Sequence, residues 1–141
     1  MKEDKIFLVD TKILIYAYEL EDSTRKEKSL ELLQKCFKKE IVLAISNQNL
    51  AEFSFVALKK LKLPCETVKR IIKDISNFDG FKKINYKRKT ILSAIEILDE
   101  YNMTFWDSLL SATMIESEIF NIYTENSKDF KDPKINVVNI F

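Results

Sequence analysis

Histidine is absent from this chain of 141 residues, and glycine, proline and cysteine are scarce. Without histidine, the chain can form neither a Ser-His-Asp triad nor a histidine-ligated zinc site. The two cysteines, Cys36 and Cys65, are too few and too far apart in the sequence for a zinc cage, so we expect reduced thiols. Any catalysis must therefore use carboxylates, hydroxyls, lysines or a hard metal ion with oxygen ligands.

Other absences narrow the class of protein further. With a single glycine, Gly80, the chain has no Gly-rich phosphate loop, and neither a Walker A nor a Rossmann fingerprint is present. No apolar run approaches the roughly 20 residues that span a bilayer. The first residues lead into a strand-like run without a signal peptide. We therefore expect a cytoplasmic protein with no membrane partner.

Composition indicates a folded globular chain. Hydrophobic residues make up 46% of the sequence and charged residues 32%, which is typical of a folded protein and not of a disordered one. A chain of this length is expected to form one domain, spanning residues 1–141. The formal net charge of +1 predicts no partner by itself, so nucleic-acid binding would need a local basic patch.

Strand-like and helical segments alternate along the chain. Continuous apolar runs predict strands buried on both faces, and apolar residues at helical spacing predict helices between them. The predicted strands are residues 5–10, 41–45, 81–84, 120–124 and 137–141. The predicted helices are residues 13–18, 24–39, 48–61, 89–101 and 104–118, with another that begins at Pro64. This alternation predicts an α/β fold with a mainly parallel sheet.

Three acidic residues lie in separate stretches of the same build, each a lone carboxylate beside apolar residues. Asp10 ends the first predicted strand, Glu52 lies in the helix after the second, and Asp107 lies near the start of a late helix. Ligands bind outside the carboxyl ends of parallel strands, and converging carboxylates repel one another unless a cation neutralises them. The pattern predicts a divalent metal site and metal-assisted phosphodiester cleavage.

Each acidic residue also has a simpler interpretation when it is considered alone. Asp10 and Asp107 could be helix caps, and Glu52 could be a solvated or ion-paired residue on a helix surface. Caps alone explain poorly why the three carboxylates recur in this order on these elements.

This ordered pattern resembles the PIN domain, and within it the small VapC-like ribonuclease toxins of bacterial and archaeal toxin–antitoxin pairs. The resemblance spans nearly the whole chain and rests on residues 7–16, 45–53, 105–113 and 122–126. It implies a three-layer α/β/α fold with a mainly parallel sheet of four or five strands. It also implies a Mg²⁺- or Mn²⁺-dependent endoribonuclease that cleaves single-stranded or structured RNA, forms a homodimer and binds a small antitoxin protein in a hydrophobic groove.

The resemblance also implies roles for individual residues. The catalytic residues would be Asp10, Glu52, Asp107 and Thr124. The metal ligands would be the same three carboxylates, with Asn126 as a weaker neighbour because its amide brings an oxygen but no charge. Asn126 stands where the family usually has a fourth acidic residue, and Glu125 or Asp129 could substitute for it.

Lys12 is the second departure from the family, which usually has a small polar residue at this position. Its ammonium could reduce metal affinity, hold the scissile phosphate or point into solvent. As a phosphate contact, Lys12 would bind RNA. Residues 82–89 form a dense basic group with Tyr86 interleaved, which predicts that Lys87 and Arg88 bind RNA as well, although such groups are often only solvated surface.

Two other functions remain open from the sequence. Lys12 and Asn126 favour a catalytically weakened PIN-like module that binds RNA or a protein partner without cutting. A phosphotransfer domain also places an aspartate at strand ends, but the lysine expected after a late strand is not evident here.

Overall fold

The computed structural model of the protein describes residues 5–141. Its strands are β1 (Phe7–Val9), β2 (Leu43–Ser46), β3 (Phe81–Ile84), β4 (Asn121–Tyr123) and β5 (Asn136–Val138). Its helices are α1 (Thr11–Ala17), α2 (Thr24–Phe37), α3 (Asn47–Lys59), α4 (Cys65–Asn77), α5 (Arg88–Tyr101) and α6 (Phe105–Glu116), and a 3₁₀ turn spans Ser127–Asp129.

All five strands belong to one parallel sheet with the order β3-β2-β1-β4-β5. Because every strand points the same way, the carboxyl ends of all five lie at one edge of the sheet. β1 is the central strand, which explains why its apolar run has no polar residue facing solvent. The prediction of a parallel α/β sheet is confirmed.

Alternate residues of the central strands pack into two separate cores. Val9 and Ile45 face one core, together with buried residues of α1 to α4, whereas Leu8 and Ala44 face the other. The second core contains Leu110 of α6 and partly buried side chains of α5. Helices therefore cover both faces of the sheet, and the three-layer α/β/α arrangement is confirmed.

The observed elements differ from the predicted ones mainly at their ends. α1 begins at Thr11, two residues earlier than predicted, because the Asp10 carboxylate accepts a hydrogen bond from the Thr11 N–H and caps the helix. β1 consequently ends at Val9. β5 begins at Asn136 and ends at Val138. The prediction that this strand continues to residue 141 is therefore wrong.

Four helix-flanking residues adopt the left-handed conformation although none is glycine. Lys39, Lys62, Asn102 and Glu118 have φ between 54° and 62°. A left-handed residue reverses the chain after a helix and is usually glycine, which lacks the Cβ clash. In a chain with one glycine, three of these positions are occupied by side chains for which this conformation is costly.

No helix within residues 5–141 is long and apolar enough to cross a membrane. The loops that follow β1, β2 and β4, together with the start of α6, bring the acidic residues of the sequence pattern toward one edge of the sheet.

Candidate active site at the carboxyl edge of the sheet

Asp10 lies where β1 passes into α1, and both of its carboxylate oxygens are hydrogen-bonded. Oδ1 accepts from the Thr11 N–H at 2.8 Å, and Oδ2 accepts from the Thr124 hydroxyl at 2.7 Å. Burial raises the pKa of Asp10 above its usual value, although these hydrogen bonds and the charge of Lys12 act in the opposite direction. Asp10 therefore caps α1 and also belongs to the candidate site.

Glu52 faces Asp10 from the second turn of α3. Its Oε1 lies 3.5 Å from the hydroxyl of Thr11, which in turn accepts a hydrogen bond from the Asn49 side chain at 3.0 Å. Asn49 is fixed by a capping box with Ser46 at the end of β2. Partial burial raises the pKa of Glu52, and the charges of Asp10 and Asp107 raise it further.

Asp107 occupies the first turn of α6, where a helix favours a negative charge. Thr104 caps this helix, because its hydroxyl accepts from the Asp107 N–H at 3.2 Å and donates to Asp107 Oδ2 at 2.8 Å. Burial raises the pKa of Asp107, and the charges of Asp129 and Asp10 add to the effect.

Neighbouring negative charges therefore destabilise the charged forms of Glu52 and Asp107. Glu52 responds to both aspartates, and Asp107 responds to Asp10. Their donor set is all oxygen, which suits a hard divalent cation such as Mg²⁺ or Mn²⁺. Within residues 5–141, however, no three acidic or thiol side chains lie close enough to form a ready-made metal cage. The chemistry of the residues fits a divalent cation, and the arrangement is open.

Thr124 is fully buried directly after β4 and joins the last motif to Asp10. Its N–H donates to the carbonyl of Val138, and its hydroxyl accepts from the Asn126 N–H while donating to Asp10. The hydroxyl therefore fixes the orientation of one Asp10 oxygen through a contact that spans 114 positions in the sequence.

Asn126, Glu125 and Asp129 are the three candidates for the fourth acidic position, and their contacts differ. Asn126 contacts the site by donating its backbone N–H, and not its side chain, to the Thr124 hydroxyl. The Glu125 carboxylate binds the Tyr16 hydroxyl and Arg25, and the Tyr16 hydrogen bond is the main reason that the pKa of Glu125 is lowered. Asp129 instead raises the pKa of both Asp10 and Asp107 by its charge.

The predicted RNA-binding residues lie at two places around the site. Lys12 is exposed in the first turn of α1, and its charge lowers the pKa of Asp10. Lys87 and Arg88 are exposed at the start of α5, directly after β3 and residues 85–86. The sequence signal for Lys87 and Arg88 was the basic run alone, which gives no direction for any side chain.

A groove of about 760 Å³ opens beside Glu52, between α3, the segment after β3 and the start of α6. Its walls include Asn47, Gln48, Phe55, Asn85, Tyr86 and Trp106. Of these, only Tyr86 was predicted from the sequence to contact nucleic acid. Phe55 and Trp106 are apolar residues that are usually predicted to be buried, but they are more than half exposed here, at 65% and 59%.

Solved structures with under 25% sequence identity share this fold. A toxin–antitoxin complex from Klebsiella pneumoniae has a TM-score of 0.69 at 22% identity, covering 96% of this chain and 98% of that one. Mycobacterium tuberculosis VapC20, described as a sarcin-ricin loop cleaving toxin, has a TM-score of 0.66 at 20% identity and covers 92% of each chain. VapBC2 from Rickettsia felis, bound to a DNA fragment from its promoter, has a TM-score of 0.67 at 21% identity and covers 95% and 98%.

None of the curated proteins compared with the chain matches it significantly. A family model, described as the PIN domain, matches residues 7–135. That range begins with β1 and ends just before β5, so it contains every carboxylate of the candidate site. The chain belongs to the PIN domain family.

Proposed function

We propose that the protein is a Mg²⁺- or Mn²⁺-dependent endoribonuclease that cleaves single-stranded or structured RNA. The observation that carries this proposal is the placement of Asp10, Glu52 and Asp107 around one edge of the sheet, where each has a raised pKa. A cation with oxygen ligands would relieve their repulsion, and these are the ligands that hard divalent ions prefer.

The proposed roles follow from the contacts of each residue. Asp10, Glu52 and Asp107 would hold the metal, Asn126 would be a weaker oxygen ligand, and Asp129 would add negative charge. When bound, such an ion polarises a phosphoryl oxygen and lowers the pKa of its bound water. Thr124 orients Asp10 by donating to Oδ2 at 2.7 Å, which keeps that oxygen in place for a ligand.

The basic residues are assigned to the RNA backbone. Lys12 brings positive charge beside Asp10, and we propose that it contacts the scissile phosphate. Lys87 and Arg88 follow the wall of the groove at Tyr86, where they would contact neighbouring phosphates.

We further propose that residues 1–141 act as one domain in the cytoplasm, as a homodimer and as the toxin of a type II toxin–antitoxin pair. The support is the fold, which the chain shares with a toxin–antitoxin complex and with VapBC2 bound to promoter DNA. The natural partner would then be a small antitoxin protein.

A second candidate function is a PIN module that binds RNA or a protein partner without cutting. The open arrangement of the carboxylates within residues 5–141 and the charge of Lys12 beside Asp10 favour it. This module would bind RNA without turnover in any divalent metal.

The deciding experiment is cleavage of a labelled RNA pool by the purified protein with Mn²⁺, with Mg²⁺ and with EDTA. We expect cleavage with either metal, none with EDTA, and at least about a hundredfold loss in Asp10→Asn, Glu52→Gln and Asp107→Asn. Asp99→Asn, an exposed change near the other end of α5, is the matched control and should cut normally. Cleavage that persists in EDTA or in Asp10→Asn contradicts the proposal.

A further inference from the structure

We infer that the groove beside Glu52 is a binding site for an unpaired RNA base that carries an exocyclic amino group. This inference rests on the proposed ribonuclease function and deepens it, because it names what the enzyme recognises next to the cleaved phosphate. Three features of the groove support it: its exposed aromatic rings, one unsatisfied buried acceptor and its position between the acidic site and the basic start of α5.

The aromatic side chains provide stacking surfaces. Phe55 from α3, Tyr86 after β3 and Trp106 from α6 line the same groove, and all three are exposed. When several exposed large aromatic residues surround one concavity, they more often form a binding site than lie there by chance. Unpaired bases stack on such rings, and RNA recognition commonly uses this mode.

Gln48 supplies a polar group that has no partner within residues 5–141. The residue is only 8% exposed, and its Nε2 donates to the Trp106 carbonyl at 3.0 Å. Its Oε1 is buried and has no hydrogen-bond partner among the described residues, and Gln48 is one of the residues that line the groove. A buried acceptor without a partner is costly, so a ligand that donates an N–H to this oxygen gains affinity there.

A base with an amino group fits this acceptor better than an apolar protein side chain does. Adenine, cytosine and guanine each present an exocyclic amine on the Watson–Crick edge, whereas uracil presents carbonyl oxygens on either side of one N–H. The exposed amides of Asn47 and Asn85 also line the groove and can contact the remaining base edge. A peptide that presents only apolar side chains to the groove would leave the Gln48 oxygen without a donor.

The surrounding charges orient the nucleotide. Glu52 forms one wall of the groove and belongs to the metal site, so a base in the groove has its phosphate close to the carboxylates. On the other side, Lys87 and Arg88 follow Tyr86 directly and supply positive charge for the next phosphate. The groove therefore fixes which nucleotide lies beside the site of cleavage.

Trp106 makes this inference directly measurable because it is the only tryptophan of the chain. The experiment titrates the Asp10→Asn variant, in EDTA so that no RNA is cut, with the hexanucleotides A6, C6 and U6 and with an abasic hexamer. We expect saturable quenching of tryptophan fluorescence by A6 and C6, with affinity about fivefold higher than for U6. The abasic hexamer should not quench.

Variants of the walls separate stacking from hydrogen bonding. Phe55→Ala and Tyr86→Ala should weaken A6 binding about tenfold each. Gln48→Met should bring the affinities for A6 and U6 together. Phe120→Ala is the matched control, because Phe120 is also an exposed aromatic, at 41%, but precedes β4 at the opposite edge of the sheet. Thermal melts show whether each variant remains folded.

The outcomes distinguish this inference from the proposed function. If the wild-type protein cuts RNA with Mn²⁺ but no hexamer quenches Trp106, the base site is wrong and the nuclease stands. If A6 quenches but the wild-type protein never cuts, the base site stands and the nuclease is wrong. Equal quenching by A6, U6 and the abasic hexamer also overturns the inference, as does unchanged A6 binding in both Phe55→Ala and Tyr86→Ala.

Discussion

At the scale of single residues, Asp10 has two functions that require the same geometry. One oxygen caps α1 through the Thr11 N–H, and the other accepts from Thr124 across the sheet edge. These contacts hold a partly buried carboxyl group and oppose the effect of burial, which raises its pKa. A carboxylate held this way is oriented before any ligand arrives.

We expect Asp10→Asn to leave the metal-free protein at least as stable as wild type. The asparagine oxygen can still cap α1, and the substitution removes a charge that Glu52 and Asp107 repel. Calorimetric titration should show at least about tenfold weaker Mn²⁺ binding. Asp99→Asn serves as the control. Lower stability of Asp10→Asn in EDTA would contradict this prediction.

The same prediction has a defined pH dependence. The folded state raises the pKa of Asp10, Glu52 and Asp107, so the stability that they contribute is fully present below the unfolded pKa of about 4. It is lost as pH rises through the folded pKa values. The advantage of Asp10→Asn in thermal melts with EDTA should therefore grow from about pH 4 to neutral pH. A difference that is constant across that range excludes the mechanism.

Lys12 is proposed to contact the scissile phosphate, and its charge also lowers the pKa of Asp10. Lys12→Asn should therefore slow RNA cleavage at least about tenfold while Mn²⁺ affinity changes little, and Lys12→Arg, which keeps the charge, should retain most of the cleavage. Calorimetry and RNA cleavage are measured together. Tighter Mn²⁺ binding in Lys12→Asn would show instead that Lys12 opposes the metal, and no change in either quantity would place it in solvent.

Asp129 is expected to contribute the fourth negative charge of the site. Asp129→Asn should weaken Mn²⁺ binding about threefold, because its charge acts on both Asp10 and Asp107. Asn126→Asp should tighten binding if the side chain faces the metal. If Asn126→Asp tightens Mn²⁺ binding and Asp129→Asn has no effect, Asn126 and not Asp129 occupies the fourth acidic position of the site.

At the scale of secondary-structure elements, left-handed residues that follow the helices lower the stability of the fold. The chain reverses after α3 through Lys62, which is exposed and has φ of 54°. A lysine at this φ retains the Cβ clash that glycine avoids. The same holds for Glu118 after α6, whereas Asn102 after α5 is a residue type that tolerates the left-handed region.

Lys62→Gly should therefore stabilise the protein by about 0.5–1 kcal/mol, because relief of left-handed strain exceeds the added entropy of the unfolded chain. Thermal or urea unfolding measures the change. The matched control is Lys60→Gly two residues earlier, where the backbone is right-handed, at φ −94°, and glycine should destabilise. Equal effects at both positions would show that backbone strain is not the cause.

At the scale of the whole molecule, two cores enclose one parallel sheet, and the thiols report on their integrity. Cys36 is fully buried against the sheet and burial raises its pKa, whereas Cys65 is exposed at the start of α4. In the native protein, a thiol reagent should label Cys65 rapidly. Labelling of Cys36 should be at least about a hundredfold slower and should follow global unfolding in urea. In Cys65→Ser, only the slow phase should remain.

Local patterns in the sequence were sufficient for the architecture. Apolar runs without alternation required strands buried on both sides, and helices between them required parallel connections. The order of Asp10, Glu52 and Asp107 along these elements then predicted a shared sheet edge. Their roles as metal ligands stay a prediction, since the structure supplies their positions and raised pKa values but no metal.

Tertiary structure alone decided which groups meet. In the sequence, Glu125 and Asp129 are equivalent candidates for a fourth acidic residue. In the structure, Tyr16 and Arg25 bind the Glu125 carboxylate, whereas the charge of Asp129 acts on the site. The groove of Phe55, Gln48 and Trp106 likewise exists only because the Gln48 side chain of α3 contacts the Trp106 carbonyl of α6 across 58 positions of the chain. Periodicity is a property of neighbouring residues, and it carries no information about contacts between distant segments. Those contacts are set by how the helices pack over the sheet.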